Sequence, residues 1–283
     1  MNYYQWILLI LSMIFCPQTI GAQPQLIVLA QHDDAKAQLQ IGRLYEQGTG
    51  MPQDFIQAAK YYRQAAQQGL AEAQSHLGRM YREGKGVIQD FNKALYWFHQ
   101  ASEQGLAAAQ YYLGMMYNYG QGGAVNIQQA EHWLTQAAQQ GFFAAQNSLW
   151  ILYRDGQGRQ DFAQIAQWFQ DSAQQGQAEA QNALGALYAQ GEGVTQNDAR
   201  AAYWYQRAAQ QGHLAAQYNL ARCYETGKGV LPNQMLAYQW YALAATRGLA
   251  LARSTAEALK VQLSATELSQ AQQFIRDNQH QGN

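Results

Sequence analysis

A glycine that recurs at nearly constant intervals constrains the fold of this chain more than any other feature. Each of these glycines closes a segment with two apolar helical patterns, and the set is Gly69, Gly105, Gly141, Gly176, Gly212 and Gly248. Successive members are 36, 36, 35, 36 and 36 residues apart. A fixed period of this length is typical of a solenoid of helical hairpins. The sequence therefore predicts an all-α array of stacked helix pairs.

The spacing divides the chain into six repeats, placed at residues 34–69, 70–105, 106–141, 142–176, 177–212 and 213–248. In the second repeat, apolar residues recur at helical spacing over Ala71–Glu83 and over Phe91–Glu103, which predicts a first and a second helix. Residues 23–33 are interpreted as a lead-in. Residues 249–283 are interpreted as a polar C-terminal cap and tail, in which a further helix pair closes the array.

Comparison of the repeats with one another shows which positions the architecture needs. An Asp or Asn precedes every second helix and is predicted to be its N-cap, the set being Asp54, Asp90, Asn126, Asp161, Asn197 and Asn233. A Gly-x-Gly follows every first helix, and its first glycine fits a C-terminal position with positive φ. Two aromatic positions, represented in the second repeat by Tyr81 and Trp97, are predicted to belong to the core.

The fourth repeat departs from this pattern at two places. The first helices of the other five repeats share a small residue at one position, which is glycine in four of them. The fourth repeat has Trp150 at this position. The same repeat is one residue shorter between Gly158 and Asp161. We expect a local change in hairpin geometry, either as a tolerated irregularity or as the mark of a functional site.

Composition and motifs argue against several classes of function. The net charge is −1 and only 13% of residues are charged, whereas a nucleic-acid-binding protein would show a basic stripe. The sequence has no H-E-x-x-H, Cys-x-x-Cys or G-x-S-x-G motif, and no Ser or Thr follows the lysine of Gly84-Lys85-Gly86 as a phosphate loop requires. We therefore predict no catalytic residues, no metal ligands and no cofactor.

The N-terminus resembles an export signal. Residues 6–15 form a short apolar run, and Ala22 is a small residue suited to cleavage, which predicts a signal peptide over residues 1–22. We expect a periplasmic or secreted protein with no stable membrane span after signal removal. The alternatives are an uncleaved anchor in the inner membrane and lipid attachment at Cys16. Cleavage would leave Cys223 as the single cysteine, predicted to be a small buried hydrophobic residue.

The repeated motif resembles that of the Sel-one-like repeat family, a subgroup of tetratricopeptide-like solenoids. The resemblance covers residues 34–248, and in the second repeat it rests on Leu77-Gly78, Tyr81, Gly84-Lys85-Gly86-Val87, Asp90, Ala94, Trp97, Ala101 and Gly105. It implies a right-handed superhelix of antiparallel helix pairs used for protein–protein contact.

The resemblance leaves several functions open. Exported members of the family serve as adaptors, as factors in contact with host proteins, or as periplasmic immunity proteins against phospholipase toxins. Some cysteine-rich members are linked to β-lactam binding or hydrolysis, but this chain lacks their cysteine pairs. We therefore expect a non-enzymatic scaffold, with the immunity protein as the alternative and an enzyme acting on cell wall or β-lactams as the least favoured.

Three positions of the first helix lie away from the apolar stripe and vary widely between repeats. In tetratricopeptide-like arrays these positions line the concave face, so we expect a protein or peptide partner there. The predicted binding residues are Arg43, Arg79, Tyr111, Met115, Asn118, Asn147, Ile151, Arg154, Tyr218 and Arg222. The alternative is that the apolar members of the set complete the packing between repeats. A nucleic-acid partner is not expected, and a monomer is favoured.

Overall fold

The chain consists of helix pairs. The computed structural model describes Leu26, residues 29–30 and residues 33–278, and within 33–278 the chain forms fourteen helices and no strand. They are α1 Ala35–Gln47, α2 Phe55–Gln67, α3 Ala71–Glu83, α4 Phe91–Glu103, α5 Ala107–Tyr119, α6 Ile127–Gln139, α7 Phe143–Arg154, α8 Phe162–Gln174, α9 Ala178–Gln190, α10 Asp198–Gln210, α11 Leu214–Thr226, α12 Gln234–Thr246, α13 Ala250–Lys260 and α14 Ala265–Asn278. The predicted signal peptide and most of the lead-in lie outside the described residues.

This order confirms the predicted fold class, an all-α solenoid of six helix pairs followed by a capping pair. Helices α1–α12 supply the six pairs, and α13 and α14 supply the cap. The helices belong to two compact units. The N-terminal unit ends at Ala137, within α6, and the C-terminal unit begins at Ala138.

Each second helix begins at the predicted N-cap. The Asp54 carboxylate accepts hydrogen bonds from the backbone N–H groups of Ile56 and Gln57, at 2.9 and 3.0 Å. The corresponding side chain accepts from the first turn in the other five pairs, at Asp90, Asn126, Asp161, Asn197 and Asn233. These contacts satisfy donors that have no partner within the helix, and each is worth about 1 kcal/mol relative to alanine.

A large side chain that is buried in every second helix lies one position after the aromatic residue that the sequence pattern selects. Trp97 is half-buried, whereas Phe98 is fully buried. A β-carbon on Gly78 would lie 3.0 Å from the Phe98 ring, so the two helices touch where the glycine faces that ring. The glycine therefore allows the two helices of a pair to approach each other, and the ring that packs against it is Phe98.

The two glycines of each Gly-x-Gly have different roles. Gly84 ends α3 with φ +70°, which is the predicted left-handed C-terminal position. Gly86 has φ +67°, and a β-carbon there would lie 2.0 Å from the carbonyl oxygen of Phe55 in the preceding repeat. Gly193 and Gly229 make the same approach to the preceding second helix. The second glycine is thus required where successive repeats meet.

A buried glutamine links the repeats through hydrogen bonds that the sequence pattern did not predict. The Gln74 amide donates to the carbonyl of Ala66 at 3.2 Å, and its oxygen accepts from Gln104 at 2.8 Å. The same bond to a carbonyl eight residues earlier is made by Gln38, Gln110, Gln146, Gln181 and Gln217. Because these glutamines are buried, each bond gives a partner to an amide N–H that water does not reach.

The fourth repeat differs in local backbone as well as in sequence. Helix α7 has 12 residues instead of 13 and ends at Asp155 in place of a left-handed glycine. Gln160, in the shortened loop, has φ +57°. The Trp150 indole donates to the carboxylate of Glu192 at 2.6 Å, and its ring meets Phe169 edge-on at 6.1 Å. Trp150 therefore joins α7, α8 and the loop after α9 within the C-terminal unit.

Candidate partner-binding site

The predicted binding residues all lie on first helices, and none is fully buried. They are distributed as Arg43 on α1, Arg79 on α3, Tyr111, Met115 and Asn118 on α5, Asn147, Ile151 and Arg154 on α7, and Tyr218 and Arg222 on α11. Ile151 is the most exposed apolar member, at 40%. The prediction that these residues bind a partner stays a prediction, and the structure adds where each one lies.

In the N-terminal unit, Arg43 and Arg79 meet at one pocket of about 360 Å³ between α1, α3 and α5. Glu72, His76 and Tyr112 also line it. Arg43 pairs with Glu72 at 2.6 Å. This ion pair joins α1 to α3 at the pocket, and both of its side chains are partly exposed.

A partly buried carboxylate organises the charges beside this pocket. Glu46 accepts a 2.7 Å hydrogen bond from the Tyr62 hydroxyl and is paired with Arg79, and the His76 ring lies 3.5 Å away. Burial raises the pKa of Glu46, but the contacts with His76, Tyr62 and Arg79 outweigh burial and lower it to about 2. Burial and the bond to Glu46 raise the pKa of Tyr62 far above its usual value. Glu46 is therefore ionised at neutral pH and fixes the Arg79 guanidinium.

Helix α5 adds aromatic surface to the same unit. The Arg82 guanidinium lies over the Tyr112 ring, 4.7 Å from its centre, and Tyr111 packs against Tyr112 with ring centres 5.3 Å apart. Met115 and Asn118 are half-buried on the same helix. The predicted residues of α5 thus lie beside a cationic and aromatic surface. The sequence comparison did not identify Tyr112, which is part of that surface.

In the C-terminal unit a second pocket, of about 350 Å³, lies between α9, α10 and α11. Of the predicted residues only Arg222 lines it, together with Ala186, Ala189, Tyr205, Asn219 and Lys228 among others. Cys223 also lines the pocket but is only 8% exposed, and burial raises the pKa of its thiol to about 11. The prediction of a buried, hydrophobic cysteine agrees with this position.

The remaining predicted residues make contacts of their own. The Arg154 guanidinium lies 5.4 Å from the centre of the Trp150 ring, on which it stacks. Tyr218 meets Tyr241 edge-on at 5.2 Å and borders the buried core of the C-terminal unit. Tyr218 therefore contributes to packing, which was the alternative considered for the apolar members of the set. Asn147 is half-buried.

Both pockets are lined by polar, charged and aromatic side chains. Among the described residues no three His, Cys, Asp or Glu side chains come together as metal ligands would. No helix in the described part of the chain combines the length and apolar character needed to cross a membrane. What the pockets offer is guanidinium, hydroxyl and aromatic groups on first helices, which are the groups that anchor polypeptide partners.

The structure also shows residues that the sequence comparison missed. His76 and Tyr112 line the N-terminal pocket, while Tyr205 and Lys228 line the C-terminal one. Tyr205 belongs to the buried position that follows the tryptophan, and the two positions are adjacent in sequence. Comparison of the repeats could have identified Tyr205. Tyr62 stands at the same position in the first repeat, and it pairs with Glu46, which lies at a variable position of the first helix.

Solved structures with the same architecture are known. A protective antigen from uropathogenic Escherichia coli that displays an SLR fold is 30% identical, with a TM-score of 0.62 over 89% of this chain. This chain spans 62% of the length of that protein. A Sel1 repeat protein from Oxalobacter formigenes is 31% identical, with a TM-score of 0.64 over 75% of this chain and 85% of its own.

A third structure, an immunity protein from Pseudomonas aeruginosa, is 22% identical with a TM-score of 0.46 over 75% of this chain and 81% of its own. That likeness is too slight to bear on function. No curated protein is similar enough in sequence to match the chain.

The family model for the Sel1 repeat matches residues 35–70, 71–106, 107–142, 178–213 and 214–249. The matches omit the segment 143–177, which contains Trp150 and the shortened loop yet still forms the helix pair α7 and α8. The fold is one that serves as a protein-interaction scaffold. From the repeated motif, the helix pairs and these matches together, the chain belongs to the Sel1 repeat family.

Proposed function

We propose that this protein is a non-enzymatic scaffold that binds a protein or peptide partner on the exposed surface of its first helices. One observation carries the proposal. The apolar positions shared by the repeats are buried, whereas variable positions of the first helices line two pockets, one in each unit. Arg43, Ser75 and Arg79 line the pocket of about 360 Å³, and Ala186, Ala189 and Arg222 line the pocket of about 350 Å³. Variation at exposed positions on a fixed framework is the arrangement expected of a recognition surface.

The side chains around these pockets suit the anchoring of a polypeptide. Tyrosine and arginine are enriched among residues that dominate binding energy, and Tyr111, Arg79 and Arg222 are available at or near the two pockets. In the N-terminal unit Arg79 is held by the largely buried Glu46, and Arg43 pairs with Glu72 at the surface. A side chain that is ordered before binding loses less entropy on binding, so this surface is preorganised.

The experiment is a comparison of variants against one identified partner. The full chain is used as bait for proteins of the cell envelope and culture supernatant, and the captured protein is purified for titration. Tyr111→Ala and Ile151→Ala each remove an exposed or half-exposed side chain from a first helix. The matched controls are Tyr96→Ala on a second helix and Leu231→Ala in a loop, whose residues are 56% and 87% exposed.

We expect at least one first-helix variant to weaken binding by about tenfold or more, while both controls stay within about twofold. Equal effects of the first-helix variants and the controls would overturn the proposed surface. The identity of the partner decides between the roles left open by the family: a phospholipase would indicate an immunity protein, and another protein would indicate an adaptor or a host-contact factor.

We also propose that the chain acts after export to the periplasm or the medium. The support is the apolar run at residues 6–15 followed by the small residue Ala22. The N-terminus of the protein recovered from periplasm and medium tests this directly. A mature chain that begins at residue 23 is expected, and recovery of the full-length chain in the cytoplasm alone would contradict it.

A further inference from the structure

The pocket of the C-terminal unit contains a hydroxyl and a guanidinium arranged like a pair that elsewhere in the chain holds a carboxylate. In the N-terminal unit, Glu46 is held by the Tyr62 hydroxyl 16 residues later and by Arg79, 33 residues later. In the last repeat, Glu225 is likewise held by Tyr241 at 2.8 Å, 16 residues later. The chain therefore contains its own example of how this position binds a carboxylate.

The fifth repeat keeps the donors but lacks the acceptor. Tyr205 and Arg222 follow Ala189 by the same 16 and 33 residues (205 − 189 and 222 − 189), so Ala189 stands where Glu46 and Glu225 stand. The tyrosine rings are placed alike, because a β-carbon on Gly42 would lie 2.6 Å from Tyr62 and one on Gly185 would lie 2.7 Å from Tyr205.

The donors are left without partners as a result. Tyr205 is only 7% exposed, and among the described residues neither its hydroxyl nor the Arg222 guanidinium has a hydrogen-bond or ion-pair partner. Both line the pocket of about 350 Å³, whose α9 wall is formed in part by Ala186 and Ala189. The Tyr205 hydroxyl is open to the pocket, so a ligand that accepts from it gains a hydrogen bond without breaking one within the chain.

The charges around the pocket favour an anion. Arg222 and Lys228 line it with a single carboxylate, Asp198, so the lining carries one more cation than anion. Asn219, at the position of His76, also lines the pocket, and its amide donates to Asn182 at 3.0 Å. An ionised acceptor forms stronger hydrogen bonds than a neutral one, and a carboxylate matches the geometry of guanidinium.

From this arrangement we propose that the pocket between α9, α10 and α11 binds a carboxylate group of the partner polypeptide, placed between Tyr205 and Arg222 as Glu46 is placed between Tyr62 and Arg79. The identity of the ligand rests on the proposed function, since the partner supplies the carboxylate. The pocket itself exists in the unbound chain, so small carboxylates report on it without any partner.

The test titrates the full chain, labelled with ¹⁵N, with three probes while the Arg222 side-chain resonance is followed. The probes are N-acetyl-glutamate N-methylamide, its glutamine counterpart, and N-acetylglycine. We expect the glutamate probe to shift the resonance in a saturable manner and the glutamine probe to leave it unchanged. Tighter binding of N-acetylglycine would assign the carboxylate to the C-terminus of the partner, and tighter binding of the glutamate probe to an acidic side chain.

Three variants make the test specific. Tyr205→Phe keeps the ring, removes the hydroxyl and should weaken the carboxylate probe by about tenfold. Ala189→Glu supplies the carboxylate from within the chain and should abolish probe binding while raising Tm by about 2–4 °C. Gln206→Glu, at an exposed position of α10, adds the same charge outside the pocket and should change neither property.

Equal binding of the glutamate and glutamine probes, or unchanged binding in Tyr205→Phe or Ala189→Glu, would overturn the carboxylate site. Those outcomes leave the proposed scaffold function intact, because that function is tested separately with Tyr111→Ala and Ile151→Ala. Conversely, the probe could bind the pocket while no first-helix variant affects partner binding. That result would support the carboxylate site and refute the proposed binding surface of the scaffold.

Discussion

The hydroxyl of Tyr62 donates a 2.7 Å hydrogen bond to the carboxylate of Glu46, sixteen residues earlier on the first helix of the same pair. Arg79, from the next repeat, pairs with the same carboxylate. One acidic side chain thus connects α1, α2 and α3. The fifth repeat has Ala189 in place of this carboxylate. There, Tyr205 and Arg222 line an open pocket.

Replacement of Glu46 by glutamine should destabilise the protein in a pH-dependent way. The pKa of Glu46 is lowered from 4.5 to about 2 by its contacts in the folded chain. Because the folded-state pKa is the lower one, the stabilisation is fully present above about pH 4.5 and is lost as the pH falls towards 2. Glu46→Gln should therefore cost about 1–3 kcal/mol at pH 7, and the difference from wild type should shrink in acid.

Urea unfolding of both proteins between neutral and acidic pH checks this. The control is Glu257→Gln, whose side chain is 67% exposed and paired with Lys260 on the surface. That change should cost less than about 1 kcal/mol. A loss for Glu46→Gln that is the same at pH 7 and pH 3 would show that ionisation of Glu46 does not stabilise the fold.

Loss of a buried glutamine should be far more damaging than loss of an exposed one. Gln74→Met keeps the size of the side chain but removes two hydrogen bonds that join neighbouring repeats, the one to the Ala66 carbonyl and the one from the Gln104 amide. We expect a cost of about 1–3 kcal/mol in the free energy of unfolding. Gln67→Met, at an exposed position of α2, should cost less than about 0.5 kcal/mol, and equal costs in chemical denaturation would contradict the role of the buried position.

Two glycines with similar φ should differ in their tolerance of alanine. A β-carbon on Gly86 would meet the Phe55 carbonyl oxygen at 2.0 Å, whereas one on Gly69 would meet nothing within 4 Å. Gly69→Ala should cost about 1–2 kcal/mol, from its φ of +87° alone. Gly86→Ala must also separate two repeats and should cost clearly more. Similar unfolding midpoints for the two variants would show that the close approach is unimportant.

Cys223 should react slowly with thiol reagents in the native protein. It is 8% exposed and burial raises its pKa to about 11, so little thiolate is present at pH 8. Iodoacetamide labelling, followed by mass spectrometry of the peptide that contains Cys223, should be at least about tenfold slower than in denaturant. Labelling at the same rate in both states would mean that the thiol is accessible in the folded chain.

The sequence predicted the framework well because the repeats can be compared with one another. The bounds of α3 and α4 were predicted to the residue, since apolar spacing, an N-cap and a terminal glycine coincide there. Trp97 packs against the core as predicted, but it is half-buried, and the adjacent Phe98 is the fully buried ring. Two adjacent aromatic positions fit one helical face almost equally well, and only the contact with Gly78 distinguishes them.

The candidate site was less accessible to sequence analysis because it depends on pairs of positions. The linking glutamines were missed because glutamine is common on the surface of this chain, so a buried one has no distinct signature. Ala189 lies at one of the variable positions of the first helix, but its role depends on Tyr205 and Arg222 in two other helices. Such a relationship becomes visible when the three side chains line one pocket.

The central claim is that the partner lies on the first helices, and site-specific photo-crosslinking tests it most directly. A photoreactive phenylalanine analogue is placed at Met115 or Tyr218 on first helices, and at Tyr96 or Leu231 as controls elsewhere on the surface. The account predicts crosslinks to the purified partner from at least one of the first-helix positions and none from the controls. Crosslinks from the control positions alone would contradict it.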